Sequence, residues 1–200
     1  MPPVSAPEAP VLAPDLAPEA PIFLIGFMGS GKTTVGGLLA GHLGWSFADL
    51  DDLIVRSAGL TVAEIFAREG EEGFRRRETE AVRAAATGRR SVVATGGGAA
   101  CREENLALML ASGRVVALTV SAAEAVRRTG SRSGRPLLDD SADPLAAATA
   151  LLSARQPFYG RAHLQVETDR RTPDEAARAI VGGLGLSPNA SQKRTREKSA

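Results

Sequence analysis

Five glycines and one lysine fall within the fourteen residues "LIGFMGSGKTTVGG" (24–37), which overlap the end of the apolar stretch "IFLI". No other feature of the chain restricts its fold as strongly. Glycine is poorly suited to the interior of a strand or helix. Its concentration between a strand-like run and a helix-like run therefore marks a turn whose backbone has a task. The spacing Gly26-x-x-x-x-Gly31-Lys32-Thr33 is the P-loop pattern, set between strand and helix as that motif requires. The glycines let backbone N–H groups turn inward around phosphate oxygens, and the helix N-terminus adds partial positive charge. Gly29, Ser30, Gly31, Lys32, Thr33 and Thr34 are the candidate residues for a nucleoside triphosphate. Lys32 is expected on the outer phosphates and the Thr33 hydroxyl on Mg²⁺.

Downstream, strand-like and helix-like segments alternate. "IFLIG" (22–26), "WSFADL" (45–50), "SVVAT" (91–95), "RVVALTV" (114–120) and "HLQVET" (163–168) read as strands. Helices are expected over 32–43, from near Leu53, from Thr61 and again over 71–87, over 102–112, after Ser121, over 145–156 and from Thr172. Thr61 with Glu64, Ser121 with Glu124, and Thr172 with Glu175 have capping-box spacing. Pro173 stands at a first helical position. Five apolar strands separated by helices predict an α/β fold, a three-layer arrangement around a five-stranded parallel sheet. Ligands of such sheets bind beyond the C-terminal ends of the strands.

Four of the five strand ends carry chemically loaded residues. After the second strand, Asp49 and Asp51 stand two apart; an extended chain would put them on one side, roughly 7 Å apart. A phosphoryl-transfer site needs a carboxylate near its Mg²⁺. Asp49 is the candidate, because the fourth strand runs into Ser121 rather than an Asp. Asp51 would then face an acceptor, while Asp52 is read as a helix cap. Gly96, Gly97 and Gly98 close the third strand and suggest a backbone that a ligand approaches closely. "EEGFRRRETE" places Arg75 in a charged run that alone reads equally as a solvated face. The stretch from about 130 to 143 has no clear period and carries Arg132 and Arg135, the properties of a mobile lid. His42 and His163 read as structural or surface residues, and Cys101 as a packing residue.

Composition sets the outer limits. A chain of 200 residues with 44% hydrophobic and 24% charged residues fits one domain with its own core. The net charge of +1 argues against a general nucleic-acid binder. One cysteine permits no intramolecular disulfide. No apolar run approaches the ~18 residues that a membrane span needs. Residues 1–20 are rich in proline and alanine and are expected to form a disordered arm; residues 186–200 are expected to form a basic tail. The folded domain is placed at 21–185.

Taken in order, "GFMGSGKTTVGGLLA", "FADLDDLI", "IFAREGEEGFRRRE", "ATGGGA", "VRRTGSRSGRPLL" and "RQPFYGRAH" together resemble the shikimate kinase family over roughly residues 21–184. The resemblance implies transfer of the ATP γ-phosphoryl group to the 3-hydroxyl of shikimate, in the cytoplasm and by a monomer. It implies that Lys32, Asp51 and Arg135 are catalytic, with Asp51 holding the shikimate hydroxyls. Arg75 and Arg155 would hold the carboxylate, and Gly97, within the run Gly96–Gly98, would supply a backbone contact. Thr33 and Asp49 would serve Mg²⁺, and Arg128, Arg171 and Pro173 would lie near the adenine. No nucleic-acid or membrane partner is implied. A gluconate kinase of the same fold and an ATP-sensing module without transfer activity are the alternatives.

Overall fold

The computed structural model describes residues 16–130 and 143–189. Arg132, Arg135 and nearly all of the stretch expected as a lid lie outside the described residues. Five strands form one all-parallel sheet: β1 (Ile22–Gly26), β2 (Ser46–Asp49), β3 (Ser91–Ala94), β4 (Arg114–Thr119) and β5 (Leu164–Glu167). Their spatial order is β2-β3-β1-β4-β5. Seven α-helices among the described residues cover the sheet: α1 (Lys32–Leu43), α2 (Leu50–Ala58), α3 (Val62–Ala86), α4 (Glu103–Ser112), α5 (Ala122–Thr129), α6 (Pro144–Tyr159) and α7 (Pro173–Gly183).

Period-two alternation sorts each central strand onto two cores. Phe23 and Ile25 of β1, with Val115 and Ala117 of β4, pack beneath α4, α5 and α6. Ile22 and Leu24, with Val116 and Leu118, face the other way toward Leu39 of α1 and Ile180 of α7. Trp45 packs against this second core. A small satellite core of Ile54, Ile65 and Phe74 joins α2 to α3. The central strands are buried on both faces, which explains why they read as unbroken apolar runs.

Several element boundaries differ from the sequence expectation. Helix α2 starts at Leu50, and its N-cap is Asp49, whose carboxylate accepts the Asp51 N–H. Asp51 therefore sits in a first helical turn, so the extended spacing expected between the two aspartates does not apply, and Asp52 does not cap. The two helices expected around residue 70 form one element, α3, with a backbone break at Gly70 (φ 70°, ψ −177°). Only glycine adopts that conformation readily, and Arg77 reaches back across the break to Glu69. Thr61 and Thr172 make full capping boxes. Ser121 makes half of one: it accepts the Glu124 N–H, but its own N–H goes to Asp169, and Glu124 turns to Arg127 and Arg128 instead.

Both expected tails join the domain through residues that are held to the body, so residues 17–19 and 186–189 belong with it. Arg114 donates to the carbonyls of Ala17 and Pro18, and Arg90 N–H donates to Glu19 O. At the other end Leu186 packs on the second core, and Asn189 N–H donates to His42 O.

Candidate active site

The turn after β1 wraps into α1 with Gly31 at the N-cap in a left-handed conformation (φ 89°), which a side chain would strain. Lys32 folds back over this turn, its Nζ 2.9 Å from Gly26 O and 3.0 Å from Phe27 O. Thr33 Oγ1 donates to Asp49 Oδ2 at 2.8 Å. β3 lies between β2 and β1 in the sheet, so this bond ties the first turn of α1 to the end of a strand that is not β1's neighbour. Thr33 and Asp49 offer only hard oxygen donors beside a phosphate-binding turn, the chemistry that suits Mg²⁺. Among the described residues, no group of three or more His, Cys, Asp or Glu is placed to hold a metal ion by itself.

One cleft of about 600 Å³ lies over these strand ends. Gly29, Ser30, Gly31, Lys32, Thr33 and Thr34 line one wall; Asp51, Arg75, Gly97, Gly98 and Arg155 line another; Arg128, Arg171 and Pro173 line the remaining end. Most of the predicted site residues thus converge. Asp49 reaches the cleft only through Thr33. Gly96 is buried outside the lining.

The glycine run does two separate jobs. A Cβ at Gly96 would lie 2.8 Å from Glu78 Oε1 and 2.9 Å from Asp51 Oδ1, and one at Gly98 would lie 2.9 Å from an Arg75 guanidinium nitrogen. These two glycines make room for the protein's own charged side chains. At Gly97 the nearest atom would be 3.6 Å away, ordinary contact distance. Packing within the chain does not demand glycine there, and Gly97 faces the cleft.

Arg75 and Arg155 are both tightly held. Arg75 donates to Glu78 at 2.9 Å and Glu71 at 3.2 Å, and its guanidinium stands 5.7 Å from the Phe74 ring centre. Arg155 donates to Gly97 O at 3.0 Å and stands 5.7 Å from the Phe27 ring centre. Held cations of this kind keep a fixed geometry for a carboxylate. Arg128 is a strut between elements: it donates to Glu124, to Gly29 O and to both Thr168 Oγ1 and Thr168 O. Hydrogen bonds from Arg127 first, then Arg128, hold the Glu124 carboxyl at about 2. Arg171 donates to Glu167 O at 2.7 Å.

Sequence reasoning missed two residues. Glu78 is 1% exposed although it lies in a charged run. Burial pushes its carboxyl up, Arg75 pulls it back down, and Asp51 adds to the rise. Its signal was the i, i+3 spacing from Arg75, on the helix face that also carries Val82. Tyr159 is 2% exposed, and its hydroxyl donates to Gly97 O at 2.9 Å. The two histidines are structural: His42 pairs with Asp174 of α7, and His163 Nδ1 accepts the Val115 N–H. Burial lowers His163 below its ordinary value and raises the half-buried Cys101 thiol.

The shikimate kinase family model matches residues 28–184. A shikimate kinase from Moorella thermoacetica is 50% identical over 163 residues, 82% of this chain and 93% of its own. The solved structure of a shikimate kinase from Acinetobacter baumannii in complex with shikimate superimposes with a TM-score of 0.79 at 38% identity, covering 83% of this chain and 93% of that one. A gluconokinase from Sinorhizobium meliloti, at 20% identity and a TM-score of 0.57 over 84% of this chain and 92% of that one, shares the fold alone. With its phosphate loop and two guanidiniums lining one cleft, this chain belongs to the shikimate kinase family.

Proposed function

We propose that this protein transfers the γ-phosphoryl group of ATP to the 3-hydroxyl of shikimate, giving shikimate 3-phosphate and ADP. One observation carries the reading: a carboxylate, Asp51, and two fixed guanidiniums, Arg75 and Arg155, line the same cleft as the phosphate loop. That set matches an acceptor that is small, anionic and hydroxylated. The arginines hold the acceptor carboxylate and so aim its hydroxyl. Asp51 accepts the hydrogen bond of the attacking hydroxyl and is placed to take its proton as the oxygen–phosphorus bond forms. The bond from the γ-phosphorus to the β-bridging oxygen breaks, and Lys32 with the loop N–H groups stabilises the charge left on the phosphates.

Thr33 and Asp49 would hold Mg²⁺, which neutralises phosphate charge when bound. Arg128, Arg171 and Pro173 are assigned to the adenine end. Arg135 is assigned from the sequence resemblance to the transferring phosphates. The reading takes the protein as a cytoplasmic monomer with shikimate as its small-molecule partner and no nucleic-acid or membrane partner. The net charge of +1 supports the lack of a polyanion partner. No helix among the described residues is long and apolar enough to cross a membrane.

ADP release measured with shikimate, with gluconate and with no acceptor tests the proposal. Release with shikimate only is the expected result. Release with gluconate, or equal release without acceptor, would replace it.

A further inference from the structure

Tyr159 does a job that the acceptor contacts above do not cover. Arg155 and Tyr159 stand four residues apart on α6, so they project from one face of the helix. Both donate to the same atom, Gly97 O, at 3.0 Å and 2.9 Å. A carbonyl oxygen has two lone pairs and can accept two donors at once. Tyr159 is buried in the same core cluster as Phe27, Ala100 and Ala148 and is not among the residues that line the cleft. The Cys101 thiol lies beside its hydroxyl.

The arrangement matters because Arg155 has two employers. It holds Gly97 O, and in the proposed function it also grips an acceptor carboxylate. An anion drawing the guanidinium toward itself weakens the bond to Gly97. Gly97 lines the cleft and has no side chain of its own to anchor it. Glycine is also the residue that loses most conformational freedom when ordered.

We propose that Tyr159 is a positioning residue for the acceptor: its hydroxyl gives the Gly97 carbonyl a second donor beside Arg155, so the glycine backbone keeps its place when Arg155 engages the acceptor carboxylate. The inference rests on the acceptor reading above and deepens it. The chain has one tyrosine, which gives a clean probe.

Tyr159→Phe removes one hydroxyl and keeps the ring. The shikimate KM should rise about 3- to 10-fold, the range expected for one lost hydrogen bond, while the ATP KM and kcat change by no more than about twofold. Protein made with 3-fluorotyrosine carries fluorine only at position 159. Its ¹⁹F resonance should shift when shikimate is added without nucleotide, in step with binding followed by calorimetry. A wild-type enzyme active on shikimate whose Tyr159→Phe variant keeps both KM values overturns the inference and leaves the function standing. So does a variant in which both KM values rise in equal proportion, since that is a general structural effect. If the variant does not fold, the fluorine signal decides alone: a resonance unmoved by bound shikimate overturns the inference. Wild-type protein that neither binds nor phosphorylates shikimate removes the substrate reading, and this inference with it.

Discussion

Asp49 and Asp51 stand two positions apart and face different chemistry. Asp49 caps α2 and touches the Thr33 hydroxyl; Asp51 lies in the first turn and lines the cleft. Asparagine caps a helix as well as aspartate does, so Asp49→Asn isolates the loss of charge. We predict that Asp49→Asn raises the magnesium requirement and is partly rescued by high Mg²⁺ or by Mn²⁺. Asp51→Asn should keep near-normal affinity for an ATP analogue by calorimetry, lose shikimate phosphorylation by about 10- to 150-fold and resist metal rescue. A reversed rescue pattern would exchange the two roles. Glu78 supplies a pH prediction. Its folded-state pKa lies above the ordinary 4.5, so its contribution to stability is full below that value and fades as pH rises through the raised pKa. Glutamine does not titrate. The stability of Glu78→Gln relative to the parent should therefore improve from pH 4.5 toward neutrality in denaturant melts; a pH-independent difference would show that Arg75 cancels the burial. The places of Lys32 and Thr33 in the cleft were legible in spacing alone. Those of Glu78 and Tyr159 were not, because each depends on which face of a helix meets a distant loop.

Among the elements, α3 shows how a local signal and a tertiary constraint share one segment. The sequence marked two helices meeting near Gly70, and the backbone does break there, yet the chain runs on as a single element. The second half carries Arg75 and Glu78, so the angle at Gly70 sets where both meet Gly96 and Gly98. Gly70→Ala forces an L-residue into a conformation that costs about 1–3 kcal/mol. Urea unfolding should show that loss, and the shikimate KM should rise more than the ATP KM. Equal stability with both KM values unchanged would mean that the break has no part in site geometry. The strands and the alternation that builds them were readable because burial on both faces leaves unbroken apolar runs. Their order, β2-β3-β1-β4-β5, was not readable, since pairing is decided by contacts between residues far apart in the chain. The start of α2 was misplaced by three residues because its cap is an aspartate that also reads as a metal carboxylate.

Among the described residues, parallel strands put the cleft lining at one end of the sheet, and the opposite end makes contacts within the chain. The starts of β3 and β4 hold Glu19, Ala17 and Pro18 through Arg90 and Arg114. Arg114→Ala should therefore lower stability by about 1–2 kcal/mol and leave kcat/KM for both substrates unchanged. Removing residues 1–15 and 190–200 should change neither stability nor kinetics, whereas a truncation that reaches Pro21 should reproduce the Arg114→Ala melt. Altered kinetics in either protein would tie the base of the sheet to the cleft. The same polarity divides the molecule optically. Its one tryptophan, Trp45, packs on the core beneath α1 and α7, and its one tyrosine, Tyr159, sits behind the glycine run. Tryptophan emission should follow the melting of the α1–α7 layer and stay nearly flat as shikimate is titrated. An emission change on shikimate binding would reveal that the far end of α1 moves with the acceptor, turning a passive chromophore into a reporter of long-range motion.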